Sequence, residues 1–236
     1  MQLINESTNG IEVCTKNLYK GSDIKGVLFD MDGVILDSEK LYTRFWKEAS
    51  AALGFHMTHE MALGMRSLNP QLATIRIKEY FGEEAEYLEI REKRIELMNV
   101  YVEAHGIELK PGVCEILQYL KSKGIKAAIA SASPLDLIQK YLSEKGVIDY
   151  FDALVSARMV EHGKPEPDVY LYAAAKLDLA PEMCLVVEDS PTGLLAGNRA
   201  GCVPIMVPDQ DLPDEKVKST AFAVVENLAT IQALFH

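Results

Sequence analysis

The chain has 236 residues, 48% of them hydrophobic and 25% charged, which is enough apolar material for a full core and too much for a disordered chain. Its formal net charge of −11 speaks against a broad nucleic-acid-binding face or attachment to an acidic membrane surface. Four cysteines, Cys14, Cys114, Cys184 and Cys202, stand far apart with no CxxC spacing, which points to buried reduced thiols rather than a zinc site or a disulfide framework. No positively charged start leads into an apolar stretch, and no apolar run approaches the ~20 residues that span a bilayer, so a cytoplasmic protein is expected.

In chain order, residues 1–23 are polar and turn-forming, with Ile11 to Val13 their only short apolar cluster, and carry no evident role. Val27-Leu28-Phe29 reads as a short strand covered on both faces, delivering Asp30 and Asp32 into a turn at Gly33. A helix follows with Ser38 as its N-cap, Leu41, Phe45, Ala49 and Leu53 on one face, and Gly54 as its stop. The pair Asn69-Pro70 predicts the start of a second helix that ends near Gly82. A third, between Glu83 and Gly106, shows Leu88, Ile95, Met98 and Val102 at helical spacing. Nothing from residue 39 to 106 has the pattern of a strand, so this stretch reads as an all-helical unit.

From Pro111 onward helices and strands alternate. Helices are expected from Val113 to Gly124, from Pro134 to Gly146, over 167–178 and over 191–200; strands are expected over 125–130, 153–156, 184–187 and 203–207. Such alternation implies right-handed crossovers and a parallel sheet, with the helical unit inserted after the first strand.

The edge beyond the carboxyl ends of parallel strands is where a site assembles. The first strand contributes Asp30 and Asp32, two like charges that need a shared proton or a hard cation between them. The second contributes Ser131-Ala132-Ser133, the loop after the third carries Gly163-Lys164-Pro165, and the fourth ends in Glu188-Asp189-Ser190. Each fragment alone has an ordinary explanation as a cap, a turn or a solvated charge. Together, an acid pair, a hydroxyl, an amine and a second acid pair are what cation-assisted phosphoryl transfer needs.

In these four motifs, in this order and across nearly the whole chain, the sequence resembles the haloacid dehalogenase-like hydrolase superfamily. The branch is that of helical-cap enzymes which includes β-phosphoglucomutases and sugar-phosphate phosphatases. The resemblance implies an α/β fold with a Rossmann-like parallel sheet core over residues 1–38 and 107–236, and a helical cap over 39–106. It implies a phosphatase acting on a small phosphorylated metabolite, with Asp30 as nucleophile, Asp32 as general acid and base, and Lys164 as a further catalytic group. Mg²⁺ would be held by Asp30, Asp32 through its carbonyl, Glu188 and Asp189. Ser131, Ala132, Lys164 and Gly33 would bind the phosphoryl group, with Arg66 of the cap reaching a substrate oxygen or second phosphate. No nucleic-acid or membrane partner is expected, and the chain is expected to be monomeric.

The alternatives are weighed on residues. A dehalogenase needs neither Asp32 nor Asp189, and a phosphonate hydrolase would need a cap lysine that Met61-Ala62-Leu63-Gly64-Met65-Arg66 does not supply. A mutase stays open, since Val34-Ile35-Leu36-Asp37-Ser38 and Ala130-Ser131-Ala132-Ser133 resemble mutase loops. Tyr42 and Leu135 stand where a mutase has a histidine and an asparagine. A catalytically silent binding protein is disfavoured because no catalytic position is missing.

Overall fold

The computed structural model describes residues 7–8, 10–14, 24–66, 68, 70–210 and 212–235. The chain divides into two compact units, one formed by residues 1–36 and 109–236, the other by residues 37–108.

The larger unit is built on an eight-stranded sheet whose strands are β1 (Ser7–Thr8), β2 (Ile11–Val13), β3 (Gly26–Phe29), β4 (Lys126–Ser131), β5 (Ala153–Ser156), β6 (Cys184–Glu188), β7 (Val203–Met206) and β8 (Ala223–Val225), in the order β1-β2-β8-β7-β6-β3-β4-β5. Six of these strands run parallel. The first two form a hairpin laid antiparallel along β8. Strand β3 is fully buried, as a continuous apolar run covered on both faces must be. It lies between β4 and β6, in a register that sets Phe29 beside Ile129 and Val187.

Around this sheet run α5 (Val113–Lys123), α6 (Leu135–Glu144), α7 (Asp168–Lys176), α8 (Pro191–Arg199) and α9 (Glu215–Thr220). The alternation read from the sequence is therefore a parallel α/β sheet. One core cluster joins Leu28, Ala128 and Val186 of the sheet to Val169 and Ala173 of α7 and Ala196 of α8. Helix α8 approaches closely because Gly197 lacks a side chain: a Cβ there would lie 2.8 Å from a methyl of Val186.

The helical unit contains α1 (Glu39–Ala52), α2 (His59–Leu63), α3 (Pro70–Phe81) and α4 (Tyr87–His105), around a core that includes Trp46, Ala49, Ile77 and Ile90. Ser38 precedes α1 but makes no capping bond with its side chain. Asn69, the expected cap of α3, lies outside the described residues. Helix α2 escaped the sequence reading because five residues carry too little periodicity; it starts where Thr58 Oγ1 accepts the Met61 N–H at 3.2 Å. The buried face of α4 is Tyr87, Ile90, Met98 and Val102, so the expected Leu88 points outward at 61% exposure. Tyr87, one residue earlier, takes the inward position and stacks on Trp46. Among the described residues no helix is long and apolar enough to cross a membrane.

Candidate active site

Parallel pairing brings three distant segments to one point. Asp30 leaves the end of β3 with its N–H bonded to the Val187 carbonyl at 3.0 Å, so its neighbour across the ladder is Glu188. Gly33, at φ +78°, closes the following turn, its N–H bonding the Leu36 carbonyl at 2.9 Å; only glycine adopts that backbone without strain. The Lys164 ammonium, from the loop before α7, donates to Asp30 Oδ1 at 2.5 Å, to Glu188 Oε1 at 2.6 Å and to the Ala130 carbonyl at 3.0 Å.

Asp30, Glu188 and Asp189 are all buried, and each offers a carboxylate oxygen within 4.8 Å of the others. Burial pushes the Asp30 carboxyl up to about 8; Lys164 pulls it down, while Glu188 and Asp32 add to the rise. Burial on its own would push the Lys164 ammonium down, yet the Asp30 and Glu188 carboxylates hold it above the usual lysine range. The one ammonium thus answers two of the three acids, Asp30 and Glu188. An all-oxygen, net-negative pocket fits a hard divalent cation, which takes oxygen ligands and would relieve the excess charge.

Asp32 stands at the rim of this cluster and accepts a hydrogen bond from Ser133 Oγ at 2.9 Å. Ser133 is fixed in turn: its N–H donates to Ser131 Oγ at 3.0 Å and its carbonyl accepts from Ser156 Oγ at 2.7 Å. Ser131 is buried at the end of β4 and Ala132 is exposed beside it. Arg66 belongs to the helical unit, where its Nε pairs with Glu39 Oε2 at 2.9 Å in a largely buried ion pair. Tyr42 and Trp46, on the same unit, each present a ring 4.9 Å from the Arg94 guanidinium.

Tyr170 was missed in the sequence. It is fully buried on α7, and its hydroxyl donates to Glu188 Oε1 at 2.5 Å. Burial, then Glu188 and Asp30, push the phenol well above its usual range, so it remains a donor. The available signal was a lone phenol on the apolar face formed by Val169, Ala173 and Ala174, since a buried tyrosine hydroxyl needs a partner.

Comparison with known proteins agrees with this layout. The family model described as haloacid dehalogenase-like hydrolase matches residues 24–201. The chain is 32% identical over 201 residues to a phosphorylated carbohydrates phosphatase of Thermotoga maritima, covering 85% of this chain and 93% of that protein. It is 28% identical over 190 residues to the β-phosphoglucomutase of Bacillus subtilis, covering 78% and 83% respectively. Among solved structures, a HAD family hydrolase from Deinococcus radiodurans R1 with bound phosphate and sodium superposes with a TM-score of 0.75 at 26% identity, covering 90% of this chain and 98% of that one. With the four motifs gathered at one sheet edge and the family model spanning that edge, the chain belongs to the haloacid dehalogenase-like hydrolase family, in its phosphoglucomutase-like branch.

Proposed function

We propose that this phosphatase hydrolyses a small phosphorylated carbohydrate, using Asp30 as nucleophile and Mg²⁺ as cofactor. The observation that carries the reading is the buried cluster in which Lys164 bridges Asp30 and Glu188 while Asp189 stands within ligand distance. Asp30 attacks phosphorus, the bond from phosphorus to the sugar oxygen breaks, and an aspartyl phosphate forms. Asp32 gives its proton to the departing alcohol and then takes one from the water that releases inorganic phosphate, which restores both aspartates. Lys164, with Ser131 and the backbone at Ala132 and Gly33, binds the phosphoryl oxygens.

Asp30, Asp189, Glu188 and the Asp32 carbonyl would hold Mg²⁺. Bound there, the cation neutralises charge on the nucleophile and the phosphoryl group. The helical unit, read from the sequence as residues 39–106, takes the role of cap, with Arg66 recognising the substrate beyond its phosphate. The carbohydrate class is supported by the likeness to the Thermotoga maritima phosphatase.

Asp30→Asn should abolish phosphate release from a panel of hexose, pentose and glycerol phosphates, and EDTA should do the same to the unaltered protein. Glucose 1-phosphate with its bisphosphate activator serves as the mutase control. Conversion to glucose 6-phosphate that outpaces phosphate release would replace hydrolysis with the mutase reaction, and turnover by the Asp30→Asn protein would overturn the nucleophile assignment.

A further inference from the structure

The Glu188 carboxylate is held on every side. Its Oε1 accepts two hydrogen bonds, from Lys164 Nζ at 2.6 Å and from Tyr170 Oη at 2.5 Å. Its Oε2 accepts one, from Ser190 Oγ at 3.1 Å. Ser190 is itself fixed, since the same hydroxyl accepts the Gly193 N–H at 3.2 Å as the cap of α8. The last wall is Gly193: a Cβ there would fall 1.9 Å from Glu188 Cδ and Oε1 and 2.2 Å from Oε2. The Tyr170 ring adds a second contact, lying 5.0 Å from Lys164 Nζ.

A carboxylate oxygen accepts along about two lone-pair directions. On Oε1 both are taken, one by the ammonium and one by the phenol. On Oε2 Ser190 takes one, and Glu188 as a whole offers a carboxylate oxygen within 4.8 Å of those of Asp30 and Asp189. Without the phenol Oε1 keeps a single donor, so the torsion of the carboxylate about its Cγ–Cδ bond is set less tightly by Lys164 and Ser190 alone.

We propose that Tyr170 is a positioning residue for the cation site: its hydroxyl, together with Lys164 and Ser190, fixes the plane of the Glu188 carboxylate in the orientation from which Glu188 serves the divalent cation. The hydroxyl acts through Glu188 and touches neither substrate nor metal. This rests on the reading above that Asp30, Glu188 and Asp189 bind the cation, and it assigns the orientation of one ligating carboxylate to a residue outside the four motifs. A satisfied core tyrosine would account for burial and for one hydrogen bond. It would not account for a phenol and an ammonium converging on one oxygen of a cation-facing carboxylate.

The test is the affinity of the full-length, metal-stripped protein for Mn²⁺, followed by electron paramagnetic resonance in the absence of substrate. Tyr170→Phe keeps the ring and removes only the hydroxyl, and should weaken Mn²⁺ binding about tenfold, the usual effect of losing a partner of a metal ligand. The KM for substrate at saturating Mg²⁺ should change less than twofold. In a Glu188→Gln background the same substitution should add nothing, because the group through which it acts has lost its charge. A purely structural role would lower the urea midpoint of Tyr170→Phe and leave the Mn²⁺ affinity within twofold of the parent, which would overturn the proposal while leaving the metal site intact. Additive effects of Tyr170→Phe and Glu188→Gln would overturn it as well. Failure of the unaltered protein to bind Mn²⁺ would remove the metal site itself, and the role of Tyr170 with it.

Discussion

Gly193 shows how one missing methyl group shapes the site. Gly193 occupies the first turn of α8, where alanine ordinarily stabilises a helix by up to about 1 kcal/mol relative to glycine. Here a Cβ would collide with the Glu188 carboxylate at 1.9 Å, so the sign reverses. Gly193→Ala should lower stability by about 1–3 kcal/mol, the range for overpacking, read from the urea midpoint. Gly163→Ala, beside Lys164 but with open space around its would-be Cβ, should stay within about 0.5 kcal/mol and serves as the control. At this scale the sequence was informative where a residue carries chemistry of its own. Asp30, Asp32, Lys164, Glu188 and Asp189 stand out because charged groups at the ends of apolar strands need a reason. Tyr170 and Gly193 do not stand out, since their importance lies in a neighbour supplied by another element. Ser133 was legible only as part of a Ser-Ala-Ser loop, and its bond to Asp32 appears once β3 and β4 are paired.

At the level of elements, strands flanked by apolar runs and helices with clear stops were legible within a residue or two, apart from the start of α4, which lies at Tyr87 rather than near Glu83. The other exceptions are short pieces. Strands β2 and β8 have three residues each, too few for an alternating pattern, and they are strands because they pair with each other, β2 also with β1 and β8 also with β7. Residues 7–8 and 10–13 thereby acquire a structural place that their composition does not announce: the hairpin covers the backbone of β8, which would otherwise end the sheet as an open edge. An ion pair between Glu12 and Lys218 at 2.8 Å ties the hairpin to α9. Removing residues 1–14 should leave the N–H and carbonyl groups of Ala223–Val225 free to template another strand. The truncated protein should elute in size-exclusion chromatography with light scattering as larger species than the parent, increasingly so with concentration; identical mass at all concentrations would show that the edge needs no cover. The outward Leu88 teaches a related lesson, because the helical spacing that selected it fits a face one residue away equally well, and stacking of Tyr87 on Trp46 decides between them.

For the molecule as a whole, the cysteines report on core integrity. Cys114 is exposed and Cys14 half-buried, whereas Cys184 and Cys202 lie in a core cluster of the larger unit. Burial, with Glu182 nearby, pushes the Cys184 thiol up to about 12, and burial together with Cys184 and Glu182 holds Cys202 higher still. A raised thiol pKa means that almost no reactive thiolate exists at pH 8 in the folded state. Iodoacetamide at that pH should label Cys114 readily and leave Cys184 and Cys202 unmodified until denaturant unfolds the larger unit, as followed by peptide mass spectrometry. Labelling of both buried thiols in native protein would mean that this core opens far more often than its packing allows.

The position of β3 at the middle of the sheet has a consequence for biosynthesis. Gly26 pairs with Lys126 on one side and with Cys184 on the other, so the strand bearing Asp30 is made early and acquires its second partner only after most of the chain has emerged. Such distant pairings cost loop-closure entropy before they yield any contact, and they place this sheet among topologies that assemble slowly. A nascent chain interrupted before Glu188 holds Asp30, the proposed nucleophile, without Glu188 and Asp189. On the proposed mechanism reactivity would therefore arrive late in translation, and unfinished copies of the protein should be inert towards the phosphates around them.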